Sequence, residues 1–499
     1  MGGALAGGES RPTPLGHTMT EKRFVVGEKR AEGIGELKSS VSINAFSKGA
    51  PPNDERKRFF TGSSSLSTGN MIKPVVVPKK KENQDKVEND LVMFSKNFQV
   101  QIKGGTLPKI IERCTNESAT DNNFVDTFLL TYRTYLNAGE LLEMLFERYN
   151  IPDPQGVEDV ALQQFNEARK IIRLRVGNLI KRWLTHHFHD FNDNPEILNR
   201  LTDFVNSTYM NTDPSLGKSI IGQIDNSRKT KERENSFSSP PPKSIIPTKD
   251  SFDDFDPVEV ARQLCIFEQQ MFKSIHTKEC LNQGWNSKTN EKKLELSPNV
   301  TRMIRHFNDV SFWVQAQILS QKKLDLRVKM MKKFIKIMKA SREFNNFNLI
   351  QEILAGFAGN AIFRLKKTWA KIEKEKKVFD EYSQLKATLA QDHNYKTYRD
   401  VLKEVNPPCL PYLGVFLTDL TFLEDGNPNI LPLEGRNDII NFEKMRKVSV
   451  VIQRIVIYQQ QPYNFTKVDM IYNYFDSLAS KTMTEAELYS LSLEVEPRE

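Results

Sequence analysis

Three short patterns in this sequence carry residue types able to do chemistry, and each is measured against the spacing that its chemistry demands. Gly217-Lys218-Ser219 matches the end of a phosphate-cradling loop, but such a loop requires a glycine where Thr212 stands and a buried strand before it, so nucleotide chemistry is not expected there. His186, His187 and His189 beside Asp190 offer imidazole and carboxylate ligands, with His186 and His189 read on one helix face. No second ligand set follows, so ordinary packing is expected and no metal. No H-E-x-x-H, G-x-S-x-G or paired-carboxylate pattern occurs, hence neither covalent chemistry nor a cofactor is expected. A fourth stretch is of another kind. Asn406-Pro407-Pro408-Cys409-Leu410-Pro411-Tyr412 stiffens the approach to an apolar helix that ends in Glu424-Asp425-Gly426-Asn427-Pro428, and Ile439-Ile440-Asn441-Phe442 begins a long return. The pair reads as a helical hairpin whose rigid edge carries carboxylates, suited to pushing into a partner and competing with its bound anion or metal. An ordinary core hairpin has the same spacing.

The elements that position these residues are helices. Leu107, Ile110 and Ile111 share one face; Phe124, Phe128 and Tyr132 form a stripe; Asn137 with Glu140 is a capping box that Pro152 and Pro154 close off; and a long amphipathic segment runs from Phe165 to Phe191. Asp256-Pro257-Val258-Glu259 and Ser297-Pro298 open further helices, and Thr484 with Glu487 caps the last. The Lys322–Lys339 stretch carries Leu324, Val328, Met331, Phe334, Ile335 and Met338 at core spacing with lysines outside. Strand-like alternation is scarce. The expected architecture is all-α, with two helical domains, the second bearing the protruding hairpin. Its divisions are a disordered Gly/Ser/Pro/Lys arm over 1–97, a helical domain over 98–225, a disordered Ser/Pro-rich linker over 226–253 with Ser236, Ser238 and Ser239 as phosphorylation candidates, and a second domain over 254–499.

Composition narrows the classes. With 71 Lys and Arg against 63 Asp and Glu, the 499-residue chain carries a net charge of +8. The basic residues alternate with acidic ones on helix-period segments, the pattern of solvated faces, so a nucleic-acid partner is not expected. Mean hydropathy is −0.51 and no run of about 18 apolar residues occurs, which excludes a helical membrane span. Ala6 stands where an N-myristoylation motif needs Ser or Thr, and no secretion signal or prenylation box is read. Four scattered cysteines, Cys114, Cys265, Cys280 and Cys409, suit reduced thiols.

Six blocks in the second domain, in order, resemble the catalytic domain of Ras guanine-nucleotide exchange factors of the son-of-sevenless kind: Asn345-Asn346-Phe347-Asn348, Phe363-Arg364-Leu365-Lys366-Lys367-Thr368-Trp369, Pro407-Pro408-Cys409-Leu410-Pro411-Tyr412-Leu413-Gly414, Asn441-Phe442, Gln461-Pro462-Tyr463 and Ser492-Leu493-Glu494-Val495-Glu496-Pro497-Arg498. Gly104-Gly105-Thr106-Leu107 and Asn123 through Arg133 resemble the Ras exchanger motif that precedes that domain, and together the resemblance covers about four fifths of the chain. It implies a factor that binds a Ras-family small GTPase, both GDP-bound and nucleotide-free, and speeds GDP loss so that GTP can load, with no bond made or broken and no cofactor.

The resemblance also implies roles. The hairpin wedges open one switch segment, with Thr421 and Asp425 at the positions that obstruct the magnesium and phosphate site, where well-known members carry Leu and Glu. Ile304, Arg305, Tyr395 and Tyr412 grip the second switch region, with Thr418 beside them. Ala358 stands where relatives often have Asn. Leu174 and Arg175 align with a second, allosteric GTPase contact. A cytoplasmic protein recruited to the plasma membrane is expected. Two rival readings remain, a GTPase-binding scaffold without exchange activity and a nucleic-acid binder supported only by a pI near 9.0.

Overall fold

The computed structural model describes residues 86–498, apart from 89, 97–98, 119–120, 157, 230–236, 238 and 479–482. The arm before residue 86, together with Ser236 and Ser238, lies outside the described residues. The fold is predominantly helical, and its first departure from the sequence reading is a small sheet. Three antiparallel strands, β1 (Lys86–Glu88), β2 (Leu91–Lys96) and β3 (Gln99–Gly105), stand where the arm and the first domain were divided at residue 98. Structure therefore begins earlier than expected. Leu91-Val92-Met93-Phe94 is a continuous apolar run without the alternation that marks a half-buried strand, which is why it escaped notice.

The first helical domain follows β3. Its helices are Leu107–Cys114, Asn122–Thr131, Ala138–Tyr149, Asp159–His186, Pro195–Phe204 and Pro214–Lys229. The Asn137/Glu140 capping box forms with both reciprocal hydrogen bonds. His186 ends the long helix and His189 opens a separate short turn, so the two do not share a helix face as expected. Asp190 is instead the polar hub of this domain. Its carboxylate accepts from Tyr132 Oη at 2.5 Å, Trp183 Nε1 at 2.7 Å and Arg133 Nη2 at 2.5 Å, and lies 3.0 Å from His189 Nε2. Those donors hold it below the usual carboxylate range against the opposing effect of burial. Gly217, Lys218 and Ser219 lie within a helix, with Gly217 packed against Met210 and Tyr209, so no phosphate loop exists there.

The linker is also shorter than read from sequence. Residues 226–229 continue the last helix of the first domain, and residues 239–253 lie along the second. Ser239 O accepts from Asn464 Nδ2 at 2.8 Å, Lys243 O accepts from Arg262 Nη1 at 3.1 Å, Ile245 N donates to Glu259 Oε2 at 2.9 Å, and Phe252 is core. Proline-rich composition reads as a tether, but the partners here are backbone groups, which any sequence presents.

In the second domain the helices Pro257–Lys273, Pro298–Leu319, Leu324–Glu343 and Phe347–Ala358 form the centre, and a single large core spans residues from Phe252 to Leu488. Asp256 caps the first of these as expected. Ser297 does not cap the second: its hydroxyl donates to Glu279 O, and the carboxylate of Glu279 takes the Asn299 and Val300 N–H groups at 2.6 and 3.1 Å. All four cysteines are free and buried. No helix among the described residues is long and apolar enough to cross a membrane.

Candidate functional site

The hairpin is built from an outgoing arm, Leu413–Gly426, and a return arm, Phe442–Gln459. Gly414 admits the start of the outgoing arm, because a Cβ there would stand 2.4 Å from the Tyr412 ring. Asn441 caps the return arm, accepting from Lys444 N at 3.0 Å. Lys444, only 4% exposed, reaches back to Glu424 Oε2 at 2.5 Å and Asn429 Oδ1 at 2.6 Å, which ties the two arms together near the connection. Arg399 grips the outgoing arm through a two-pronged bond to Asp419 at 2.7 and 2.8 Å.

The first domain braces the hairpin at the end where its arms connect. Gly105 and Ile440 exchange backbone hydrogen bonds at 3.2 and 2.9 Å, so β3 pairs with the residues that lead into the return arm. Gly104 has no room for a side chain, since a Cβ would lie 2.3 Å from Ile440 O. Phe442 stacks on Phe124 with ring centres 4.0 Å apart, and Ile440, Phe442 and Met445 belong to the core of the first domain. Arg446 Nη2 donates to Ile102 O at 3.0 Å and Tyr135 Oη to Asn429 O at 3.2 Å. A cleft of about 420 Å³ opens where Thr134, Gln283, Glu424 and Lys444 meet.

The residues singled out from sequence fall into different settings. Asp425 is exposed near the end of the outgoing arm, and Thr421, one turn earlier, is half-buried. Thr418 is also half-buried, its hydroxyl donating to Gly414 O at 2.8 Å. Arg305 is exposed, but Ile304, Tyr395 and Tyr412 are buried, at 8%, 6% and 2% exposure. Tyr395 sits at φ +58, the last of three left-handed residues, and its ring packs 6.1 Å from that of Tyr412, which lies 5.6 Å from Phe307. Sequence indicates residue type but not this turn inward, which leaves Arg305 as the outward-facing member of the set. Leu174 is 43% exposed on the Asp159–His186 helix, and the adjacent Arg175 is half-buried. Sequence reasoning missed Gln283 and Asn286, which reach Asp425 Oδ1 at 2.7 Å and Thr421 Oγ1 at 3.5 Å. Two side-chain amides three positions apart in a short loop carry no periodic signal.

Among the described residues one group brings metal-type ligand atoms together, namely Glu268, His306 and Glu352, all buried, with one such atom each within 4.8 Å of the others. The Asn345–Asn348 block serves this group. Asn346 and Asn348 each donate to Glu268 Oε2 at 3.2 Å, and Asn348 also donates to Glu352 Oε1 at 2.8 Å. Burial, with the Glu268 charge beside it, raises the Glu352 carboxyl well above its usual value, so Glu352 holds its proton in the core. Because the folded value is raised, folding takes up a proton above the unfolded value of 4.5, and stability falls as pH rises toward the folded value. Glu352→Gln removes that requirement. Relative to the parent it should therefore gain stability between pH 5 and pH 8, by at most about 1.4 kcal/mol per pH unit, in paired denaturant titrations. A difference that does not change with pH would rule out the raised Glu352 carboxyl.

Comparison with known proteins identifies the family of both domains. Residues 259–446 match the RasGEF domain and residues 101–204 the RasGEF N-terminal motif. The chain is 33% identical over 438 residues to Ras guanine nucleotide exchange factor A of Dictyostelium discoideum, covering 85% of this chain and 68% of that protein. It is 34% identical over 430 residues to exchange factor P of the same organism, and 32% identical over 445 residues to Protein son of sevenless of Drosophila melanogaster. These alignments take in 84% and 80% of this chain, but it spans only 28% and 27% of those longer proteins. With both domains matched in order around a braced helical hairpin, the chain belongs to the Ras guanine-nucleotide exchange factor family, with its N-terminal exchanger motif.

Proposed function

We propose that this protein binds a Ras-family small GTPase and accelerates loss of its GDP, the hairpin entering beside the switch regions so that GTP can load. One observation carries the reading: a helical hairpin braced by a separate domain at the end where its arms connect, with exposed Asp425 and Phe422 near the end of its outgoing arm. A wedge must resist deflection to do work on its partner. Release is accelerated only if the factor binds the nucleotide-free GTPase more tightly than the loaded one, and each tenfold in rate corresponds to about 1.4 kcal/mol. Arg305 holds the partner, the buried Tyr395–Tyr412 pair supports the surface around it, and Thr418, Thr421 and Asp425 face the magnesium and phosphate site. The protein acts in the cytoplasm and meets its GTPase at the plasma membrane by recruitment. Exposed Leu174, with Arg175, offers a second contact for a GTP-loaded GTPase.

The test measures labelled-GDP release and affinity for nucleotide-free GTPase side by side. Arg305→Ala should weaken binding by about 2 kcal/mol, the scale of an interface hot spot. Asp425→Ala should retain most of the binding while slowing release, and Thr421→Leu should raise the rate. A full-length chain that binds nucleotide-free GTPase yet releases no GDP would replace exchange with the scaffold reading. Addition of GTP-loaded GTPase should speed the reaction, and Leu174→Glu should remove that gain.

A further inference from the structure

We infer that Gln283 is a positioning residue for Asp425, setting the direction of the hairpin's carboxylate while leaving its charge intact. The inference rests on the exchange reading above. Gln283 Nε2 donates to Asp425 Oδ1 at 2.7 Å. Its other amide atom is occupied as well, since Gln283 Oε1 accepts from Asn286 Nδ2 at 3.1 Å. The same Asn286 amide stands 3.5 Å from Thr421 Oγ1, one turn back along the outgoing arm. The relay from Asn286 through Gln283 to Asp425 fixes which way the Gln283 amide faces, because only its nitrogen can donate to a carboxylate.

The backbone is shaped to deliver this side chain. Asn282 and Gln283 both adopt left-handed conformations, at φ +53 and +54, which residues with a Cβ rarely hold in succession. Trp285 is buried just beyond, and Gly284 fits so closely that a Cβ would meet Ser297 Oγ at 2.4 Å, which anchors the loop in the core. Strain held in place by such packing is a feature of sites where a side chain must be aimed.

The donor's neutrality matters. Asp425 lies in the last turn of its helix, where the unpaired carbonyls repel a carboxylate and would let it swing away. A lysine or arginine in place of Gln283 would hold it but would also compensate the charge that is to act on the partner's magnesium. An amide restrains the rotamer and leaves the full negative charge to act.

The experiment is a double-mutant cycle on the full-length chain, reading GDP release from a Ras-family GTPase in magnesium and in EDTA, with affinity for the nucleotide-free GTPase measured in parallel. Gln283→Ala should slow release in magnesium about 3- to 10-fold with unchanged affinity. It should have no effect in EDTA, and none in the Asp425→Ala background. Gln283→Lys should keep the contact and still release slowly in magnesium. Slow release by Asp425→Ala beside a parental rate for Gln283→Ala overturns this inference alone. So does slowing by Gln283→Ala of equal size in both backgrounds, which would mark a structural role, and so does a parental rate for Gln283→Lys. A parental rate for Asp425→Ala overturns the acidic-wedge reading itself, and this inference with it.

Discussion

Phe442→Ala should cost about 3–5 kcal/mol of stability, the range for removing a fully buried aromatic side chain, and should slow exchange as well. By sequence Phe442 opens the return arm of the hairpin. By packing it belongs to the other domain, fully buried, stacked at 4.0 Å on Phe124 beside Ile440 and Met445. Truncation therefore leaves its cavity at the joint, and the surrounding backbone cannot collapse into it without breaking the Gly105–Ile440 pairing. Phe422→Ala is the control. It removes the same ring from a position 59% exposed on the outgoing arm, where stability should move by no more than about 0.5 kcal/mol. Denaturant midpoints for both variants, with release rates under native conditions, provide the comparison. Should Phe442→Ala unfold at the parental midpoint, the two domains are not mechanically joined through this residue.

Glu496→Ala should be of similar size, about 3–5 kcal/mol, because it strands a buried cation. Arg327, at 2% exposure, pairs with Glu496 at 3.3 Å and donates to the Gln321 and Lys322 carbonyls and to Thr368 Oγ1. Glu496 in turn accepts from Lys367 N and Thr368 N, each at 3.0 Å, and from Thr368 Oγ1 at 2.5 Å. Removing the carboxylate leaves Arg327, two amides and a hydroxyl without it. Glu496→Gln keeps one acceptor oxygen and should lose less than half as much. If the two substitutions are equally mild in thermal unfolding, water reaches this cluster and the C-terminal clamp is not sealed.

The two clusters show how far the sequence could be read. Most helices and both hairpin arms follow from apolar spacing, and the caps at Asn137, Asp256 and Thr484 from the residue type placed before the helix start, since those signals are local. The blocks that carried the resemblance turn out to divide by role. Asn345–Asn348 and the Lys367–Thr368 and Glu496 pieces are internal clamps, whereas Asp425 and Arg305 face outward; residue type alone does not separate them. The strand at Leu91–Lys96 was missed also because the partners that bury Val92 are Leu431 and Ile439, more than 300 residues away. The docked half of the linker was missed because backbone groups hold most of it, with Phe252 its one core aromatic. Tyr395 and Tyr412 were expected to grip a partner directly, but both are buried, and for Tyr395 the left-handed turn at His393–Tyr395 that turns its ring inward carries no sequence signal.

The burial of every cysteine has a practical consequence for watching the hairpin move. Burial pushes the thiols of Cys280 and Cys409 up to about 12 and raises those of Cys114 and Cys265 well above the usual thiol value, so almost no thiolate is present near neutral pH and reagents cannot reach the sulfur. Native labelling chemistry is thus silent in this chain. A cysteine introduced at exposed Phe422 would be the one fast-reacting thiol, so a single fluorophore or spin probe can be placed on the hairpin with all four native cysteines left in the core.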